Sequence, residues 1–250
     1  MSKFDSFSKI GKYHLSNEID NQDAFSTGSN DRFDAIVLAD GVSSCKKGGE
    51  GAELTVETVK KIFLENGDII IKSDIKESSW AILSVLSKEL EKRAAEDNEE
   101  VREYASTLAA VLIDRNTKTA FAMNLGDSMI MGIKGLDINI VGMPCDSKNG
   151  IPSTITKLSN HFTNAIMLNS KDGAFKYDAF VLCSDGAWRE MFHKGILRNN
   201  VKEMMIKRDF NGLRKYLKEK NTFDDCTFIA LDTERENEWD KDSISNDLER

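Results

Sequence analysis

Between residues 107 and 141 four apolar runs, 107–113, 119–125, 129–133 and 137–141, are separated by turns of only three to five residues. Parallel strands need a crossover of roughly a dozen residues or more, so turns this short require antiparallel hairpins. Two other runs, 33–39 (with its AIVLA core) and 179–183, are apolar almost throughout, the pattern of strands buried on both faces. Shorter strands are predicted at 24–27 and 226–231. Between them the period changes. Ala52, Val56, Val59 and Phe63 recur at spacings of 4, 3 and 4, which makes one helical face. A second helix is predicted over 76–95, with Trp80, Leu83, Leu86 and Leu90 on its inward stripe, and helical stretches near 187–192, 201–207 and 213–220. Strands, two long helices, an antiparallel block, more helices and a last strand make an α+β order, with helices outside sheets. One domain is expected over 1–232, followed by a polar, frayed tail at 233–250. Residues 142–178 hold both prolines, Pro144 and Pro152, and show no clear period; the segment between Asp127 and Asp185 is long enough for a flap.

The charge balance narrows the partners. The 250 residues carry 34 Lys and Arg against 42 Asp and Glu, a net charge of −8. Such a chain is expected to bind neither nucleic acid nor an anionic membrane surface. No run approaches the roughly 18 apolar residues of a membrane span, and the N-terminal stretch has no apolar core of a secretory signal. A cytoplasmic monomer is therefore expected. The four cysteines form no CxxC pair, and Cys183 and Cys226 fall in apolar runs, as buried free thiols do.

The positions of the aspartates carry the chemistry. Two buried strands each stop at Asp-Gly, at Asp40-Gly41 and at Asp185-Gly186. A third reaches Gly126-Asp127-Ser128, a fourth begins after Asp224-Asp225, and Gln22-Asp23 precedes the first strand. Asp and Gly suit turns, so one such site means little. Several together need cations, because an unpaired buried carboxylate is costly. Oxygen donors without a His/Cys cluster favour Mg²⁺ or Mn²⁺ over zinc, and two such ions can activate a water for attack on a phosphoryl group. The alternatives lack their motifs. Residues 47–51 are Gly-rich without GK[ST], no GxSxG occurs, and neither Asp40 nor Asp185 lies in the DxD pattern of an aspartyl-nucleophile phosphatase.

The ordered set Asn21-Gln22-Asp23-Ala24, Ala39-Asp40-Gly41, Ser106-Thr107, Gly126-Asp127-Ser128, Ser184-Asp185-Gly186 and Asp224-Asp225-Cys226-Thr227 resembles the metal-dependent protein phosphatases of the PP2C (PPM) type. The stretch from Ala39 to Ala52 is similar to a compact bacterial branch, in which a His, here His14, precedes a Gln-Asp-Ala motif. The resemblance implies a four-layer α-β-β-α sandwich of two antiparallel sheets flanked by helices. It also implies roles: Asp40 bridging two ions, the Gly41 carbonyl on one of them, Asp185 and Asp224 on the other. Asp127 and Asp23 fit water-mediated contacts or a third, weaker ion. A metal-bound hydroxide would attack phosphoserine or phosphothreonine directly, so a phosphoprotein substrate and a cognate Ser/Thr kinase are implied as partners.

The chain departs from that pattern at three points. Gln22 stands where many relatives have Glu, and Glu18 where many have the Arg that grips the phosphate. Val42 occupies a position that often holds a His after Asp-Gly. His14 is the candidate to bind the phosphate or donate a proton in their place; the bland alternative is an ordinary strand histidine. Gln22 and the missing Arg also leave room for a pseudo-phosphatase, a regulatory module that binds a phosphoprotein or kinase without turnover.

Overall fold

The run 33–39 is buried along its length because both of its faces are covered. Ile36 and Leu38 point into an apolar layer shared with a second sheet, while Ala35, Val37 and Ala39 pack under two long helices. This is the period-2 alternation of a strand, with an apolar partner on each side. The computed structural model describes residues 3–144, 163–168 and 177–233.

The elements in chain order are β1 (Phe4–Lys9), α1 (Lys12–Ser16), β2 (Asp23–Ser29), β3 (Phe33–Asp40), α2 (Gly48–Lys72) and α3 (Ile75–Glu96). After a 3-10 turn at Val101–Tyr104 come β4 (Leu108–Asp114), β5 (Thr119–Leu125), β6 (Met129–Lys134), β7 (Asp137–Gly142) and β8 (Thr163–Leu168). The chain continues with β9 (Ala179–Cys183), α4 (Asp185–Met191), a small hairpin of β10 (Phe192–His193) and β11 (Ile196–Leu197), α5 (Asn199–Ile206), α6 (Phe210–Lys218) and β12 (Cys226–Asp232). One sheet has the order β1-β12-β9-β6-β7 and the other β2-β3-β4-β5-β8, and every pairing in them is antiparallel.

Three apolar layers hold four layers of structure together. Ile36, Leu38, Val111 and Ile113 of one sheet meet Ile130, Phe180, Leu182 and Ile229 of the other. α2 and α3 cover the outer face of the first sheet through Val56, Phe63, Leu86 and Leu90. α4, α5 and α6 cover the second through Met191, Met205, Leu213 and Leu217. The α-β-β-α sandwich is the one the family resemblance implies, and it contains the α+β order read from the residues. α3 begins where its cap predicts, with the Asp74 carboxylate accepting from the backbone N–H groups of Lys76 and Glu77. Its inward stripe is Ser79, Ile82, Leu83, Leu86, Leu90 and Ala94, and Trp80 is half exposed rather than inward. The predicted face is otherwise kept, with Leu83, Leu86 and Leu90 inward, and Ser79 rather than Trp80 stands at its N-terminal end.

Gly51 shows how tightly α2 is seated. An added Cβ there would lie 2.1 Å from the carbonyl oxygen of Tyr104. Gly51→Ala gains up to about 1 kcal/mol of helix propensity, but the overpacked contact costs about 1–3 kcal/mol. The variant is expected to melt below the wild type in a denaturant titration; a higher midpoint would show that α2 can shift away from Tyr104.

The tail of the sequence reading falls outside the described residues from 234 on, as do Cys145, Pro152 and His161 within the region assigned to a flap.

Candidate active site

The aspartates picked out by sequence gather at one end of the sandwich. β3 runs out at Asp40 and β9 stops just before Asp185, while β2 begins at Asp23 and β12 just after Asp224 and Asp225. Residues 126–128 carry the chain from β5 in one sheet to β6 in the other, and Gly126 makes that turn at φ +97°. A cleft of about 130 Å³ opens there, lined by His14, Asp40, Gly41, Val42, Ser43, Thr107, Asp127, Asp185, Asp224 and Asp225. Asp23 is not part of this lining; it lies one step behind, directly opposite Asp40 in the β2–β3 ladder.

Local contacts fix this end of each strand. The backbone N–H of Asp40 donates to Thr107 Oγ1 at 2.9 Å, and Thr107 Oγ1 lies 2.9 Å from Ser128 Oγ. Gly41 must be glycine because a Cβ would lie 2.5 Å from the Gly48 backbone and 2.8 Å from the Gln22 carbonyl oxygen. Ser184 Oγ donates to Asp23 Oδ2 at 2.8 Å, and Trp188 Nε1 donates to the Asp127 carbonyl at 2.8 Å. Arg189 lies against both Asp185, at 2.7 Å, and Asp224, at 3.3 Å.

The carboxylates crowd one another. Burial pushes Asp23 up to about 7 against the Thr227 and Ser184 hydroxyls, with Asp225 and Asp185 adding repulsion. Asp40 is held well above the usual carboxylate range, by burial first and then by the charges of Asp23, Asp185, Asp127 and Asp225. Asp185 is raised to about 6 by burial and Asp127, with Arg189 pulling the other way. Like charges this close each disfavour the ionised form of the others.

His14 is not on a strand. It is buried on α1, and its Nδ1 lies 2.7 Å from Asp225 Oδ2. The same carboxylate accepts the backbone N–H groups of Gly11 and Gln22, each at 2.7 Å. α1 rests on the segment before β12, since Lys12 and Tyr13 donate their N–H groups to the carbonyls of Thr222 and Phe223.

A sequence profile described as protein phosphatase 2C matches residues 10–220. The chain belongs to the protein phosphatase 2C family. No curated protein matches it in sequence. Its fold is that of solved bacterial phosphatases. A bacterial serine phosphatase aligns with TM-score 0.65 at 20% identity, over 95% of this chain and 100% of that one. The serine/threonine phosphatase Stp1 from Staphylococcus aureus aligns with TM-score 0.66 at 17% identity, over 93% and 95%. RsbX in complex with magnesium aligns with TM-score 0.58 at 12% identity, over 91% and 92%.

The donors present in this PP2C chain suit a hard divalent ion. Asp23 Oδ1 and Gln22 Oε1 are buried acceptors with no hydrogen-bond partner, beside a cleft whose other polar atoms are mostly carboxylate oxygens. Among the described residues no three His, Cys, Asp or Glu side chains already close around a single point as a metal cage. Asp225 was legible in sequence only as the neighbour of Asp224; its grip on His14 spans 211 positions and no local pattern encodes it. Ser184, behind Asp23, had no signal beyond its place before Asp185. His193 is exposed on the β10–β11 hairpin, away from the cleft. No described helix is long and apolar enough to cross a membrane.

Proposed function

We propose that this phosphatase-family chain hydrolyses phosphoserine and phosphothreonine in proteins, using Mn²⁺ or Mg²⁺ at the aspartate cleft. The observation that carries the proposal is the meeting of Asp40, Asp127, Asp185 and Asp224 in one small cleft, with the buried, unpartnered Asp23 Oδ1 behind it. Asp40 and the Gly41 carbonyl would hold one ion, with Asp40 shared to a second held by Asp185 and Asp224. Asp127 and Asp23 would hold waters or a third, weaker ion. When bound, such ions neutralise phosphoryl charge and lower the pKa of water.

The protein's own side chains supply the rest. His14 would hold the phosphoryl group, in the role left open by Glu18 and Val42. The Ser184 hydroxyl and the cross-strand pairing fix Asp23 against Asp40. The Thr107 hydroxyl fixes the backbone of Asp40. The substrate would be a phosphorylated side chain on a protein, and a cognate kinase would supply it. The proposed workplace is the cytoplasm, and the proposed unit is one domain over 1–232 with a polar tail.

The test is release of phosphate from a phosphothreonine peptide and from p-nitrophenyl phosphate, with Mn²⁺, with Mg²⁺ and with EDTA. Turnover that needs the ion and is lost in Asp185→Asn is the expected result; turnover untouched by EDTA would refute the proposal.

Arg189 supports a second reading. It pairs with both carboxylates that the first reading gives to one ion, as a phosphoprotein-binding module without turnover would allow. Phosphopeptide binding that survives EDTA, without hydrolysis, would favour that module. Under the first reading Arg189 competes with the ion. A half-exposed pair is worth about 1 kcal/mol or less, so Arg189→Ala is expected to tighten Mn²⁺ up to roughly five-fold. Calorimetric titration measures it, and weaker binding in the variant would show that Arg189 supports the site instead.

A further inference from the structure

Asp225 lines the cleft but has no part in holding an ion in the reading above. Its carboxylate is filled by donors. Oδ1 accepts the Gly11 N–H, and Oδ2 accepts the Gln22 N–H and faces His14 Nδ1, all at 2.7 Å. Two of these three partners are backbone N–H groups, which can only donate. Both oxygens of the Asp225 carboxylate already accept, so we take the hydrogen between Asp225 and His14 to lie on Nδ1. The bond made by one ring nitrogen decides the state of the other. It leaves Nε2, a buried atom with no hydrogen-bond partner among the described residues, on a side chain that lines the cleft.

The backbone around Asp225 is clamped from two sides. A Cβ on Gly11 would lie 2.3 Å from the Asp224 carbonyl carbon, and one on Gly186 2.2 Å from the Asp225 carbonyl oxygen. Both glycines allow a main-chain approach that any side chain would block. Asp225 also ties the two ends of the segment that carries His14, since Gly11 precedes α1 and Gln22 follows it. The ring is thus held through its Nδ1 by a carboxylate that is itself fixed.

We infer that Asp225 is a positioning residue: it holds the His14 imidazole with Nε2 turned to the phosphoryl group of a bound phosphoserine or phosphothreonine. This rests on the phosphatase reading, and gives His14 its orientation within it. With Nδ1 committed to Asp225, the ring's contact with a phosphoryl oxygen runs through Nε2. A carboxylate behind a working imidazole is a recurrent arrangement, and its loss typically costs activity while the ring itself remains.

The experiment is a double-mutant cycle on the full chain with saturating Mn²⁺ and a phosphothreonine peptide. Asp225→Asn keeps the shape and one acceptor, but its amide can offer an N–H to Nδ1 and so turn the ring to the other tautomer. Loss of such an outer partner is expected to lower kcat/KM roughly 10–100-fold. On a His14→Gln background the same change is expected to cost no more than about two-fold, because Asp225 acts through the ring that is already gone. Mn²⁺ affinity by calorimetry is expected to change alike on both backgrounds, because the charge of Asp225 acts on Asp23 and Asp40 whether or not the ring is present, which separates that effect from positioning. The ¹⁵N spectrum of the His14 ring reports the geometry without turnover: Nδ1 protonated in the wild type, and changed in Asp225→Asn. Equal losses on both backgrounds, or an unprotonated Nδ1 in the wild type, would overturn the positioning role. A wild-type protein inert with every ion would overturn the phosphatase reading itself, and the ring spectrum would then decide the positioning on its own.

Discussion

Asp40→Asn is expected to abolish Mn²⁺-dependent phosphate release while making the ion-free protein more stable. Both effects follow from the same crowding. Asp40 lies opposite Asp23 in the β2–β3 ladder, and Asp185, Asp127 and Asp225 also press on it. Directly opposed like charges destabilise a sheet. Replacing one carboxylate by an amide of the same shape relieves that repulsion, and Asn can still satisfy its neighbours. Activity is different, because in the proposed reading Asp40 is shared between two ions and no other carboxylate in the cleft would take that place. Loss of an outer-shell partner costs about 10–100-fold, so loss of the shared ligand is expected to exceed that range. The ion's effect on melting gives a second readout. At 100 times its Kd an ion adds about 2.7 kcal/mol to the wild type, several degrees for a chain of this length. Asp40→Asn is expected to melt higher than wild type in EDTA and to gain little from Mn²⁺. Calorimetry with and without Mn²⁺ measures both. A variant that melts lower in EDTA, or keeps wild-type turnover, would show that Asp40 is a structural turn residue. Sites that sacrifice stability for function commonly behave as predicted here.

The sheets were legible because their constraints are local. Short turns at 114–118 and 134–136 close the β4–β5 and β6–β7 hairpins, and the run 33–39 needs an apolar partner on each face; the equally short turn 126–128, expected to close a hairpin as well, instead crosses from one sheet to the other. Of the edge strands, β2 and β7 were legible, but β1 and β8 were not. β1 has Phe4 and Phe7 three apart, so its two large apolar residues fall on opposite faces of the strand, and no period-2 stripe appears. Phe4 packs toward the layer between the sheets and Phe7 toward the layer under the helices. α1 is only five residues long, too short to show a helical period, and is held by backbone bonds to residues 222 and 223. The candidate cleft was half legible. Aspartates at strand ends announce themselves in sequence when strand and turn are both clear, as at Asp40 and Asp185. Partners that depend on distant segments meeting, such as Asp225 with His14 or Ser184 with Asp23, have no such signature.

Asp34 sits on the same strand as Asp40, six residues back and therefore about 20 Å away at the far end of β3. Sequence singles out Asp40 by the glycine that follows it and passes over Asp34, an aspartate near the start of the same apolar run. Their surroundings separate them. Asp34 faces Lys3, Arg115 and the Ser29 hydroxyl, with Lys3 Nζ against Oδ2 and the other two on Oδ1. The side chains of Lys3 and Asp34 are 4% and 2% exposed, so the pair is closed to water. It also joins the two sheets, because Lys3 extends the ladder of β1 on β12, its carbonyl accepting the Asp232 N–H, while Asp34 belongs to β3. Removing one partner of a buried pair strands the other charge, at a cost of about 3–5 kcal/mol. Asp34→Ala would leave Lys3 without its carboxylate and Arg115 without its inward partner. Arg115 is about a third exposed and can turn to water, so most of the cost falls on Lys3. The expected result is a fall in Tm of roughly 10 °C, with kcat per folded molecule unchanged at low temperature. Asp5→Ala, which removes the partner of the half-exposed Arg214, is the control and is expected to cost under about 1 kcal/mol. Thermal unfolding of the three proteins decides it. If Asp34→Ala melts with the control, the Lys3 ammonium has found other acceptors and the two sheets do not depend on this pair. If it melts far below while Asp40→Asn melts above wild type, one strand carries a paired carboxylate for stability at one end and a crowded one for chemistry at the other.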